Sequence, residues 1–95
     1  MAWRASEQAA LDLQHIAEDG ILNFGAGQAR NYTGRMLDMF ETLAAHPDMA
    51  RERQAASSII RLMPYGKHNI LYVIEAGDIV ILRVLHGLQN WFDLL

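Results

Sequence analysis

Two runs of β-forming residues, NILYVIE at 69–75 and IVILRVLH at 79–86, are separated only by Ala76, Gly77 and Asp78. So short a break, carrying glycine and aspartate, makes the two runs an antiparallel hairpin. A third run, IIRLM at 59–63, precedes them, with Pro64, Tyr65 and Gly66 read as the turn. The second half is therefore expected to be a meander of three antiparallel strands.

The first half has a different period. Ser6 is a good helix N-cap with Glu7 beside it, and Ala9, Leu13, Ile16, Ala17, Gly20 and Phe24 then recur at spacings of three and four. Gly20 is the weak point of that helix, and the GAG at 25–27 ends it. Tyr32, Met36, Met39, Phe40 and Leu43 form the apolar stripe of a second helix, which His46 and Pro47 close. Two amphipathic helices joined by a glycine break form a hairpin whose apolar face needs a cover. MAWRA at the N-terminus is long enough for one short strand, and DMARERQAASS at 48–58 reads as a polar connector. The expected fold is α+β, in the order β-α-α-β-β-β, with the helical hairpin packed on one face of an antiparallel sheet.

Ninety-five residues make one domain, 1–95. The chain has no cysteine, which excludes a disulfide scaffold and thiolate chemistry. Its longest apolar run is far short of a membrane span, and it has no basic-then-apolar leader, so a cytoplasmic location away from membranes is expected. The net charge of −3 is uneven. Residues 1–50 set three arginines against seven carboxylates (−4), and residues 51–95 set five basic groups against four acidic ones (+1). An acidic chain lacks the positive field that supplies much of the affinity for nucleic acid, although a local basic patch in the second half is compatible with this balance.

No metal or cofactor motif is present, and the four histidines are not at ligand spacing. GAGQA at 25–29 joins two helices rather than a strand to a helix, so it reads as a helix break and not as a phosphate loop. The set with chemical content is Arg61, His68, Arg83 and His86, each within or beside a meander strand. Arginines and histidines gathered on one sheet surface are what metal-free RNA cleavage requires: a base, a cation for the phosphate and an acid. The competing reading is structural, with arginines paired to carboxylates and histidines bonded to carbonyls. Arg83 and His86 differ by an odd number, so they face opposite ways unless a bulge intervenes. The tail LQNWFDLL at 88–95 places Leu88, Trp91, Phe92 and Leu95 at helical spacing, for docking on the domain itself or for anchoring a partner.

Three segments, residues 10–32, LAAHP at 43–47 and residues 66–95, together resemble the ParE toxins of the RelE/ParE superfamily. The likeness is carried by Asp12-Leu13 with Ile16, Gly27 with Ala29 and Tyr32, Leu43-Ala44 with Pro47, Arg61, His68 with Tyr72, and most distinctively Arg83-Val84-Leu85-His86. The resemblance implies the toxin half of a bacterial toxin–antitoxin pair, often carried on plasmids or chromosomal islands. It implies a ParD-like antitoxin of the ribbon-helix-helix type, through which alone the chain would meet DNA, and DNA gyrase as the target. The superfamily's other branch cuts messenger RNA on the ribosome. Arg61 and Arg83 align with arginines that contact phosphate in that branch, so an endoribonuclease would use Arg61, Arg83, His86 and His68. The acidic balance favours the gyrase branch, and Trp91 and Phe92 offer no proton donor where such nucleases carry one. A third reading is a degenerate toxin that serves only as antitoxin partner and co-repressor. The antitoxin helix is expected in a groove flanked by Leu13, Ile16, Tyr32, Met36 and Met39. Arg61, Arg83, His86, Trp91 and Phe92 are the candidates for target contact, the hydrophobic tail being read as interaction surface.

Overall fold

The computed structural model describes residues 2–87. The elements are β1 (Trp3–Ala5), α1 (Glu7–Phe24), α2 (Ala26–Ala45), β2 (Glu52–Gln54), β3 (Ile59–Tyr65), β4 (His68–Glu75) and β5 (Asp78–His86). They form a helical hairpin on a five-stranded sheet of order β1-β5-β4-β3-β2. The α+β architecture matches the sequence reading, with two refinements. The sheet is mixed, because β1 runs parallel to β5 while the other neighbours are antiparallel. The stretch read as a connector also contributes β2, an edge strand paired to β3 from Glu52↔Arg61 to Gln54↔Ile59. Glu-Arg-Gln is polar and exposed at every position, so no hydrophobic period marks it, and its position is fixed by pairing rather than by burial.

Ser6 joins the first strand to the first helix. Its hydroxyl accepts from Ala9 N–H at 3.1 Å and donates to the Leu82 carbonyl at 2.8 Å, so one side chain caps α1 and ties it to β5. Gly20, a weak point by propensity, has a packing reason. A Cβ there would lie 3.1 Å from the Ala29 Cβ, so glycine lets the two helices approach. The hairpin buries Met36, Phe40 and Leu43 against Ile70, Tyr72, Ile79, Ile81 and Val84 of the sheet. Ile60, Leu62, Leu71 and Leu85 form a second buried cluster.

The strand ends differ from the sequence expectation in one place. β3 continues through Pro64 to Tyr65, and the turn is Gly66-Lys67. Proline is tolerated there because β2 pairs only with residues 59–61, so no neighbouring strand on that side needs a Pro64 N–H. A bulge does interrupt β5. Leu71 pairs with Arg83 and Tyr72 with Ile81, leaving Leu82 as the extra residue. It lies before Arg83, so the three-residue offset between Arg83 and His86 is untouched.

Candidate functional site

Arg83 and His86 go to different places. The Arg83 guanidinium forks onto Asp12 of α1, with Nε donating to Oδ2 at 2.8 Å and a terminal nitrogen to Oδ1 at 3.0 Å. Asp12 Oδ2 also accepts the Val84 backbone N–H at 2.9 Å. β1 pairs β5 only as far as Ile81, so beyond it the strand has an open edge, and Asp12 closes that edge from the helix. Both side chains are largely covered, with 22% and 13% exposed. The hydrogen bonds to Asp12 hold the Arg83 pKa above its usual value, and the side chain is a cation fixed through two of its five donors.

Arg61 is also engaged. One terminal nitrogen donates to the Ala50 carbonyl at 2.6 Å, and the other lies 3.2 Å from Glu52 and 3.3 Å from Asp48. Tyr72, its partner across β3 and β4, donates its hydroxyl to the Pro47 carbonyl at 2.8 Å. Together they grip the segment that leads from α2 to β2. The Arg61 carboxylates are mostly exposed, unlike Asp12, so this is the looser of the two anchors.

His68 and His86 are brought together. They are direct partners across β4 and β5, with ring centroids 5.8 Å apart. The Tyr32 hydroxyl of α2 lies 2.7 Å from His68 Nδ1 and 3.2 Å from the Tyr65 carbonyl, and accepts the Lys67 N–H at 3.3 Å. Tyr32 thus clamps the β3–β4 turn to the helical hairpin. Gly66 makes room for it: φ is +54°, and a Cβ would fall 2.6 Å from the Tyr32 oxygen. Burial raises the Tyr32 pKa, keeping it a phenol. Burial, then His86 and Lys67, lower the His68 pKa and favour the neutral ring.

Of the five residues expected to flank an antitoxin groove, Met36 is completely buried and belongs to the interior. Leu13, Ile16, Tyr32 and Met39 are half-buried at the margin of the core. The exposed apolar residues of the hairpin are others, Leu11, Ile21, Leu22, Phe24 and Leu37. Sequence reasoning passed over most of these because they lie off the two inward stripes. Such off-stripe apolar residues are the signal that marks them. Trp91, Phe92 and the tail 88–95 lie outside the described residues. Also missed were the carboxylate partners, Asp12 for Arg83 and Asp48 and Glu52 for Arg61. Separations of 71 and 9–13 positions give no local pattern to read. No group of three or more potential metal ligands occurs among the described residues. No helix there is long and apolar enough to cross a membrane.

The chain is 30% identical over 79 residues to toxin ParE3 of Caulobacter vibrioides, a match covering 83% of this chain and 79% of that protein. Its fold superposes on a chain of the chromosomal ParDE toxin–antitoxin system from P. aeruginosa with a TM-score of 0.76. That match covers 90% of this chain and 95% of the other, at 18% identity. Residues 4–91 fit the family described as the ParE toxin of the type II toxin–antitoxin system parDE. With its arginines, its histidine pair and its helical hairpin placed as above, this chain belongs to the ParE toxin family.

Proposed function

We propose that the chain arrests bacterial growth in the cytoplasm by binding DNA gyrase, without cutting RNA, and that a ParD-like antitoxin neutralises it. The observation that carries this reading is the state of the two arginines. A ribonuclease needs cations free to meet the phosphate at the cleaved bond. Arg83 has its fork filled by Asp12, and Arg61 is shared between Ala50, Asp48 and Glu52. Freeing Arg83 would strand a covered carboxylate, which costs more than a surface contact returns. The acidic balance of the chain points the same way.

The antitoxin follows from the family and from the paired system named for the P. aeruginosa structure. Its amphipathic segment would lie on the helical hairpin, over the half-buried Leu13, Ile16, Tyr32 and Met39 and the exposed Leu11, Leu22 and Leu37. The antitoxin would be of the ribbon-helix-helix type, and the toxin would meet DNA only through it. Pulse-labelling of DNA and protein synthesis just after induction tests the target. An early fall in DNA synthesis, with protein synthesis sustained, is the expected result. An early fall in protein synthesis would replace gyrase with RNA cleavage, and no fall in either would leave only the antitoxin-partner role.

A further inference from the structure

Helix α1 carries two stripes. One faces the sheet: Ala9 is fully buried, and Leu13 and Ile16 pack against the core. The other lies on the opposite side of the helix and holds Leu11, His15, Glu18 and Leu22, all of them exposed. At about 100° per residue, these four fall within a strip roughly 60° wide that points away from the sheet. Their spacing of four, three and four is the seam of a coiled coil, with a leucine at each end and a polar pair in the middle. Leu22 is 84% exposed and Leu11 44%, and Ile21 beside the seam is 51% exposed. Scattered exposed leucines need no explanation, but a pair closing both ends of such a seam is a surface with a shape.

The seam is complementary to itself in one direction. Let a second copy of α1 lie against it antiparallel, with the twofold axis at the level between residues 16 and 17. Leu11 then meets the partner's Leu22, and His15 meets the partner's Glu18, each pairing occurring twice as the symmetry requires. The imidazole offers an N–H to the carboxylate. The Gln14 amide donates to Glu18 Oε1 at 3.1 Å, which steadies that carboxylate on the helix surface. Parallel pairing in register would instead set histidine on histidine and glutamate on glutamate, so the polar middle selects the antiparallel arrangement. The flanking Asp12 brings its own cation, Arg83, so it does not set bare negative charge against the acids of the second copy.

We propose that the chain on its own forms a transient twofold dimer through this face, α1 against α1 and antiparallel. The seam is about 16 Å long. It is short and polar at its centre, which places the contact below the ~1,200 Å² of a standard interface, with a Kd of roughly 10–100 μM. Leu11 and Leu22 also lie under the antitoxin segment proposed above. Pairing is therefore a property of the antitoxin-free chain, and the antitoxin would compete with it; only that competition rests on the antitoxin reading.

Sedimentation velocity of the whole chain from about 1 to 500 μM, a range that brackets this Kd, tests the dimer without gyrase or antitoxin. A passage from monomer to dimer is expected. Leu22→Asp should weaken pairing about tenfold, and His15→Glu about fivefold. Adding Glu18→His to His15→Glu should restore it, because the swapped pair meets again across the axis. These positions are exposed, so the variants should keep the fold, which far-UV circular dichroism checks. The chain has no cysteine, so the register is read directly. In a mixture of Leu11→Cys and Leu22→Cys chains under mild oxidation, the mixed disulfide should form about tenfold faster than either chain's disulfide with itself. A chain that stays monomeric throughout would overturn the proposal and leave the face to the antitoxin. So would a dimer that Leu22→Asp leaves unchanged, a charge swap that restores nothing, or a mixed disulfide no faster than the other two. None of these results bears on whether the chain arrests growth, and a chain that fails to arrest growth leaves the dimer standing.

Discussion

Arg83 and His86 are three residues apart on one strand, yet they are placed against different elements of the fold. Arg83 lies against helix α1, its charge met by a covered carboxylate that also closes the strand edge. His86 faces His68 across the strand pair, in a depression that Lys67 also lines. The bulge at Leu82 precedes both, so the strand's alternation separates their side chains rather than gathering them. Proximity in sequence therefore does not make a shared site. One residue is tied to the helix, and the other is one half of the histidine pair across β4 and β5.

Arg83→Ala should give the largest effect on stability. Asp12 would keep only the Val84 N–H, and we expect a loss of about 2–3 kcal/mol, read from urea unfolding. A loss within error would break the comparison at once. Arg61→Ala should cost less, about 1 kcal/mol, because its carboxylates are mostly exposed, and added salt should shrink the difference.

The histidine surface should respond to acid in a defined direction. The folded His68 pKa lies below 6.5, so the unfolded chain takes up a proton that the folded chain resists. Above pH 6.5 this group makes no difference. As pH falls from there towards the folded pKa, stability should decline and then level off. Unfolding curves on both sides of pH 6.5, with His68→Gln as control, check the sign. Leu22→Asp should be the mildest change for the fold, within about 0.5 kcal/mol, since Leu22 is 84% exposed. If the hairpin face receives the antitoxin, the same change should weaken that complex about tenfold.

The helices, the β4–β5 hairpin and the Ser6 cap were legible in the sequence because each depends on local rules: a 3.6-residue period, a run of β-formers around glycine, a serine before an apolar stripe. The β3 turn was displaced because Pro64 carries the composition of a turn while sitting at an unpaired edge. β2 was invisible because its three exposed residues have no period to show. The candidate site divided along the same line. His68 and His86 were named, but Asp12 as the partner of Arg83 comes from 71 positions away. A cation's role is set by the carboxylate the fold brings to it, and nothing in the Arg-Val-Leu-His run encodes that. Met36 shows the complement: a methionine on a stripe reads equally well as groove or core, and only the sheet's placement made it core.

The most direct test of the central claim, that the arginines serve the fold and the toxin acts by binding gyrase, is the paired variant Asp12→Asn/Arg83→Gln. It removes both charges together and keeps polar groups able to bond across the same gap. After unfolding measurements establish that the variant is folded, DNA and protein synthesis are pulse-labelled on induction beside the natural chain. The account predicts the same early fall in DNA synthesis for both. A folded variant that no longer stops DNA synthesis would contradict it, because Arg83 would then be acting on the target rather than on Asp12.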